Sequence, residues 1–254
     1  MPAKVNELEK IQVGVVSYLN TRPLLFGMQS DAFLQAHDLI PAYPSKVAEL
    51  LQDGTVDVAL LPVAVLADLP EYHIVSRYCI GTDGDVASVC LFSEVPVEEL
   101  TEIYLDYQSR TSVALCRILL RDFWRVSPRL LPAADEGYRT RIQGTTGAVV
   151  IGDRALEQRR LSKYVYDLSG AWKAHTGLPF VFALWVSLRP LSSAWTERFD
   201  AAQAIGLQQL PAIAAAQTYS AYDLLTYYTR NLSYELDAAK QEGMTRFLQL
   251  LRNG

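Results

Sequence analysis

The amino-acid sequence predicts an α/β protein of two lobes, with mixed, mainly parallel sheets, joined by a double crossover around a ligand cleft. Two observations predict it. Short apolar runs alternate with helix-period patterns along most of the chain, as when strands feed helices. Two strongly apolar segments, 86–93 and 180–188, bracket a middle block that has its own strand–helix alternation. A chain that leaves one α/β unit, builds a second and returns crosses twice. The outer lobe is expected over 1–91 plus 184–254 and the inner lobe over 92–183. Such a fold places a ligand between the lobes, near the carboxyl ends of the strands.

Each element follows from local chemistry. Gln12-Val-Gly-Val-Val-Ser17 reads as a buried first strand, and Asn20-Thr-Arg-Pro23 then opens a helix. Asn or Thr suits the N-cap, and Pro23 fits the first turn, where its missing N–H has no partner to lose. Ser45 begins the next helix, with Val47, Leu50 and Leu51 on one face and Gly54 at the end. Residues 57–62 make a short buried strand stopped by Pro62. Strands follow at 86–93 and 103–106, then a helix to Trp124 with Val113, Cys116, Leu119, Leu120 and Phe123 facing inward. A second small sheet is expected from 129–131, 147–151 and 164–168, with helices near 135–143 and 153–160. After the strand at 180–188, everything from 192 to 253 reads helical, with Tyr222, Leu225, Tyr228 and Leu232 as one stripe.

Composition narrows the function. With 254 residues, 50% of them hydrophobic, 20% charged and mean hydropathy +0.08, the chain is long enough to fold on a hydrophobic core alone. Its net charge of −5 offers no Lys/Arg surplus for nucleic acid or an anionic membrane, so an anionic ligand needs a local site. Three cysteines, Cys79, Cys90 and Cys116, fit buried reduced thiols, and the charged N-terminus has no apolar stretch for a leader. A cytoplasmic location is expected, with neither membrane nor nucleic acid as partner. No metal-ligand spacing, phosphate loop, nucleophile elbow or cofactor motif is present, and His37, His73 and His175 are scattered.

Three clusters of small polar residues stand at helix starts after strands: Ser17-Tyr-Leu-Asn-Thr21, Ser45, and Ser109-Arg-Thr-Ser112. Free N–H groups and the helix dipole make such positions anion sites, although ordinary capping explains many of them. Ser109–Ser112 exceeds capping needs, since three hydroxyls and a guanidinium crowd one turn. Ser88, set between Ala87 and Val89 on a strand linking the lobes, faces either the cleft or a satisfied strand neighbour. Asp153 follows a strand and either meets the ligand or caps the helix 154–158. The candidate ligand-binding residues are therefore Ser17, Arg22, Ser45, Ser109, Arg110, Thr111, Ser112 and Asp153. Tyr219, Tyr222, Tyr227, Tyr228 and Tyr234 exceed one core stripe; a homodimer surface, a cleft wall and plain packing each accommodate them.

Several segments together carry a family pattern: Val16-Ser-Tyr-Leu-Asn-Thr-Arg-Pro-Leu24, Asp57-Val-Ala-Leu-Leu-Pro62, Ser109-Arg-Thr-Ser-Val-Ala-Leu115, Gly152-Asp-Arg-Ala-Leu156, Tyr166-Asp-Leu168 and Thr176-Gly-Leu-Pro-Phe-Val-Phe-Ala-Leu-Trp185. They resemble the chorismate dehydratases of the futalosine route to menaquinone, from residue 11 into the C-terminal helices. The resemblance implies a type II periplasmic-binding-protein-like fold and a hydro-lyase that removes water from chorismate, giving 3-[(1-carboxyvinyl)oxy]benzoate without a cofactor. It assigns catalytic roles to Asn20 and Ser88. A sister enzyme, 1,4-dihydroxy-6-naphthoate synthase, shares that fold but has a Cys-Pro-Asn type motif and a histidine not found in place here. A non-catalytic anion-binding module of the same fold is the other alternative. For the dehydration, the substrate's enolpyruvyl carboxylate lies nearer the C3 proton than any protein base, with Asp153 as the competing acceptor.

Overall fold

The computed structural model describes residues 10–30, 33 and 37–253. The segment 1–9, read above for a leader, lies outside them. Strand β1 (Ile11–Val16) sits inside a six-stranded sheet, parallel to β2 (His37–Ala42) on one side and to β3 (Val58–Pro62) on the other. The sheet continues through β10 (Phe180–Ser187) and β4 (His73–Thr82) to the three-residue β11 (Ser233–Glu235). The edge position of β2 accommodates Pro41, whose ring nitrogen has no hydrogen for an inner ladder. A five-stranded sheet orders β7 (Arg129–Pro132), β6 (Glu102–Leu105), β8 (Thr146–Ile151), β5 (Val89–Ser93) and β9 (Tyr164–Asp167).

The two-lobed α/β architecture is as expected, and both sheets are mixed. Parallel pairing does not predominate, however. Strand β10 runs antiparallel to both β3 and β4, and β5 antiparallel to both β8 and β9. Each is the first strand after a crossing, and each enters its sheet against the direction of the strands beside it. The whole of β5 lies in the second sheet and the whole of β10 in the first. The expected boundaries, at 91/92 and 183/184, run through these strands; the chain changes sheets after Thr82 and again between Thr176 and Phe180. Apolar character marked both strands as buried, but says nothing of which sheet buries them.

Helix α1 (Arg22–Phe26) follows β1 after a short turn, and α2 (Pro44–Gln52) follows β2 with Tyr43, not Ser45, at its N-cap. Helix α3 (Arg110–Leu119) ends in a wider turn through Trp124, which slips the phase of its apolar face. Cys116, Leu119 and Leu120 are buried as expected, whereas Val113 is half-buried and Phe123 exposed. Helices α4 (Asp153–Gln158) and α5 (Leu168–Thr176) complete the second lobe, while 136–141 forms only a tight 3₁₀ turn. The C-terminal region is less helical than expected. Between α6 (Ser193–Leu207), α7 (Leu210–Ala215), α8 (Leu224–Thr226) and α9 (Ala238–Arg252) lie a loop, a wide turn over 227–231 and β11. The wide turn, closed by Leu232 N–H on the Tyr227 carbonyl at 3.0 Å, leaves Leu225 exposed while Tyr228 and Leu232 are buried.

A single apolar cluster spans both lobes, and all three cysteines are buried free thiols within it or behind the second sheet. Trp172, Phe180 and Phe247 meet edge to face, with centroids 5.1 to 6.3 Å apart, and bind α5, β10 and α9 together. Helix α1 touches α6 backbone to backbone. A Cβ added at Gly206 would stand 1.8 Å from the Pro23 carbonyl oxygen, and one at Gly27 2.0 Å from that of Ala202. Gly206→Ala must force these helices apart, at a cost of about 1–3 kcal/mol. Urea denaturation is expected to show a lower midpoint with an unchanged slope.

Candidate active site

Between the sheets lies a cleft lined by residues of both lobes. Its apolar walls come from Val16, Leu60, Pro62 and Ile80 in the first lobe, Val89 and Ile151 in the second, and Phe182 on the returning strand. Its polar lining is Tyr18, Asn20, Thr21, Ser88, Ser109, Thr111 and Ser112, with the Gly152 backbone. None of the lining residues carries a formal charge. Among the described residues, no group of three or more His, Cys, Asp or Glu side chains forms a metal site.

Asn20 sits in the turn after β1, where its side-chain oxygen is buried without a hydrogen-bond partner. Thr21 holds that turn closed, its hydroxyl donating back to the carbonyls of Val16 and Tyr18 instead of capping α1. Tyr18 reaches across the cleft and donates to Gln108 Oε1. Gln108 in turn accepts from Arg154 Nη2 at 2.9 Å, and Arg154 is neutralised by the buried Asp106 at 3.0 Å and by Glu136 at 2.6 Å. Burial pushes the Tyr18 phenol well above its ordinary range, so it acts as an O–H donor.

At the opposite wall, α3 points its first turn into the cleft. Ser109 is a true N-cap: its hydroxyl oxygen accepts from Ser112 N–H at 3.1 Å and its proton goes to Ser112 Oγ at 2.8 Å. Thr111 Oγ1 accepts from Ala64 N–H at 3.1 Å, a tie between the lobes. Arg110 points elsewhere, to Asp68 on the surface, and does not line the space. Ser17 and Arg22 are exposed and Ser45 half-buried, all three outside the lining; Arg22 bonds Gln217 instead. Asp153 is neither a cap nor part of the lining. It is the first residue of α4, and its Oδ1 accepts from Leu19 N–H at 3.0 Å. Burial raises its carboxyl, opposed by that N–H and by Arg22.

Ser88 is buried at the end of the first crossing, and its carbonyl accepts from Gly152 N–H at 2.8 Å. Sequence reasoning missed what holds it. The carboxylate of Asp167 accepts from Val86 N–H at 3.1 Å and Ala87 N–H at 2.7 Å, and caps α5 through Ser169 and Gly170. Also missed was the phenol of Tyr227, which donates to Ser88 Oγ at 2.7 Å. Of the surplus tyrosines, Tyr219 donates to the Asp153 carbonyl at 3.0 Å and Tyr234 to that of Asn20 at 3.2 Å. None of the five tyrosines lines the cleft itself; these three brace residues at or beside it.

The fold is that of periplasmic binding proteins, two lobes about a ligand cleft. The aliphatic sulphonate-binding protein of Escherichia coli superposes with TM-score 0.62 at 15% identity, over 96% of this chain and 92% of that one. A protein of Archaeoglobus fulgidus superposes with TM-score 0.76 at 12% identity, over 96% and 97%. The model of a menaquinone biosynthesis family matches residues 11–253, and the chain belongs to that family. The chorismate dehydratase of Thermus thermophilus is 28% identical to it over 94% of each chain.

Burial, and then the neighbouring charge of Asp85, raise the Asp167 carboxyl to about 6, against the pull of the N–H groups it accepts from. A folded-state value above the unfolded one makes its contribution to stability full below pH 4, and that contribution is lost as pH rises through 6. Relative to Asp167→Asn, the wild type is expected to lose up to roughly 3 kcal/mol between those limits. Chemical denaturation of both proteins across that range measures the difference.

Proposed function

We propose that the protein is a chorismate dehydratase, a hydro-lyase that takes water from chorismate to give 3-[(1-carboxyvinyl)oxy]benzoate. It would serve the futalosine route to menaquinone in the cytoplasm. One observation carries this reading: in a member of a menaquinone biosynthesis family, Asn20 and Ser88 line one uncharged cavity that a helix N-terminus also enters. Among the described residues no helix is long and apolar enough to cross a membrane, as suits a small-molecule substrate met in solution.

The cavity suits a dianion with an aromatic product. The N-terminus of α3 receives one carboxylate through its free N–H groups and the hydroxyl protons of Thr111 and Ser112, with Ser109 holding Ser112 in place. Phe182, Ile80 and Val89 enclose the ring. The unpartnered oxygen of Asn20 needs a donor, which a carboxylate lacks and the C4 hydroxyl of chorismate supplies. Ser88 then donates to that same oxygen as it departs. The enolpyruvyl carboxylate takes the C3 proton, the C4–O bond breaks to form the aromatic ring, and the carboxyl passes its proton to the leaving hydroxide as water. Aromatisation supplies the driving force, so orientation is the main task of the protein.

Incubation with chorismate is expected to consume it, seen as a change in ultraviolet absorbance, with the enol-ether benzoate isolated by chromatography. Binding without product would support an anion-binding module. Turnover of cyclic dehypoxanthine futalosine in its place would support the naphthoate synthase. Asn20→Ala and Ser88→Ala should each lose about 10²–10³-fold in kcat, as for one preorganised donor or acceptor, while melting near the wild type. Asp153→Asn should retain most turnover, because its carboxylate is engaged by Leu19 outside the lining. Loss of turnover with chorismate binding intact would instead make Asp153 the base.

A further inference from the structure

The hydroxyl of Ser88 meets a phenol that nothing in the catalytic reading yet uses. Tyr227 is completely buried, and its oxygen lies 2.7 Å from Ser88 Oγ. The ring comes from the wide turn over 227–231 and is held edge-on by Tyr222, with centroids 6.2 Å apart. Of two hydroxyls in contact, the phenol is the stronger acid and donates. A serine hydroxyl has one proton and two acceptor sites, so accepting from Tyr227 leaves the Ser88 proton free for another partner. The Ser88 carbonyl already receives Gly152 N–H. Ser88 lines the cleft, where a bound molecule is the acceptor at hand.

We propose that Tyr227 is a positioning residue: by donating to Ser88 Oγ it fixes the serine rotamer and turns the serine proton toward the leaving oxygen of the substrate. A donor that receives a hydrogen bond is itself polarised and donates more strongly. Burial pushes the phenol well above its ordinary range, which favours the protonated, donating form. Two neighbours in the same segment give the arrangement its context. Tyr219 and Tyr234 hold backbone carbonyls, of Asp153 and Asn20, whereas Tyr227 reaches a side-chain hydroxyl in the cleft. The proposal rests on Ser88 being the donor to the departing oxygen.

A double-mutant cycle on the intact protein tests it, with chorismate as substrate. Tyr227→Phe should lower kcat about tenfold, the effect of one lost hydrogen bond to a working donor, with KM within about twofold. In the Ser88→Ala background the same change should have no further effect on kcat. Independent, additive losses would show a packing role and overturn the proposal. A normal kcat in Tyr227→Phe beside an impaired Ser88→Ala would overturn it too, leaving the role of Ser88 standing. A normal kcat in Ser88→Ala would remove Ser88 from the chemistry and the proposal with it. Should the phenylalanine variant not fold, 3,5-difluorotyrosine at 227 keeps the ring and strengthens the donor. It should shift kcat in the Ser88 protein and not in Ser88→Ala; equal behaviour in both would overturn the proposal.

Discussion

Residues 83–88 must turn from one sheet into the other while Val86 and Ala87 are buried with their N–H groups, and Asp167 meets both demands. A buried N–H without a partner costs about 1–3 kcal/mol, and this crossing has two in succession. One carboxylate takes both, and the same carboxylate caps α5. Ala87 adopts φ of 64°, a left-handed conformation that costs a non-glycine residue roughly 1–2 kcal/mol. The two bonds to Asp167 hold it there. The strain has a geometric result: it reverses the chain just before Ser88, so β5 starts against β8 with Ser88 at the cleft. Pairing of the second sheet, placement of α5 and exposure of Ser88 to the ligand space thus hang on one buried side chain.

The cleft that results has no cation among its lining residues. Arg154 bonds Gln108, the partner of Tyr18, but Asp106 and Glu136 neutralise it. Arg110 and Arg22 turn outward. Attraction for a carboxylate is left to the first turn of α3 and to hydroxyls whose directions are set by other bonds. Such dipoles are fixed before the ligand arrives and need not reorganise as charge moves, whereas a flexible arginine would. The net charge of −5 also repels anions at long range, but the Debye length at physiological salt, about 8 Å, confines that effect to the approach.

Much of this was legible in the residues, and the gaps have physical causes. Strands β1, β3, β5 and β10 are largely apolar runs and announce themselves. Strand β4 does not, because Ser76, Arg77 and Tyr78 interrupt its pattern, and β11 is too short to register. The cluster at 109–112 was visible as a surplus of donors, but which of its members face the cleft depends on helix phase. Thr111, Ser112 and Ser109 fall along one arc of the helix, while Arg110 lies on the opposite side and cannot join them. Ser17, the first residue past β1, is exposed, while its neighbours Val16 and Tyr18 line the cleft. Contacts between residues far apart in sequence, Tyr227 with Ser88 or Asp167 with Ala87, leave no local pattern. The excess of tyrosines near the C-terminus was the one outward sign of the first of these.

The absence of charge in the lining bears on how the C3 proton leaves. A carboxylate in water is a weak base because hydration stabilises its charge. Moved between Phe182, Ile80 and Val89, it loses that hydration and its proton affinity rises, as burial does for Asp167 and Asp153 in this same chain. In the proposed mechanism, the one of chorismate's two carboxylates held at the α3 N-terminus would keep compensating donors and remain a poor base. The enolpyruvyl carboxylate, held against the apolar wall, would be the stronger of the two, and it is tethered beside C3. A cationic residue in the wall would undo this difference by stabilising both. An uncharged lining therefore suits the proposed substrate-supplied base.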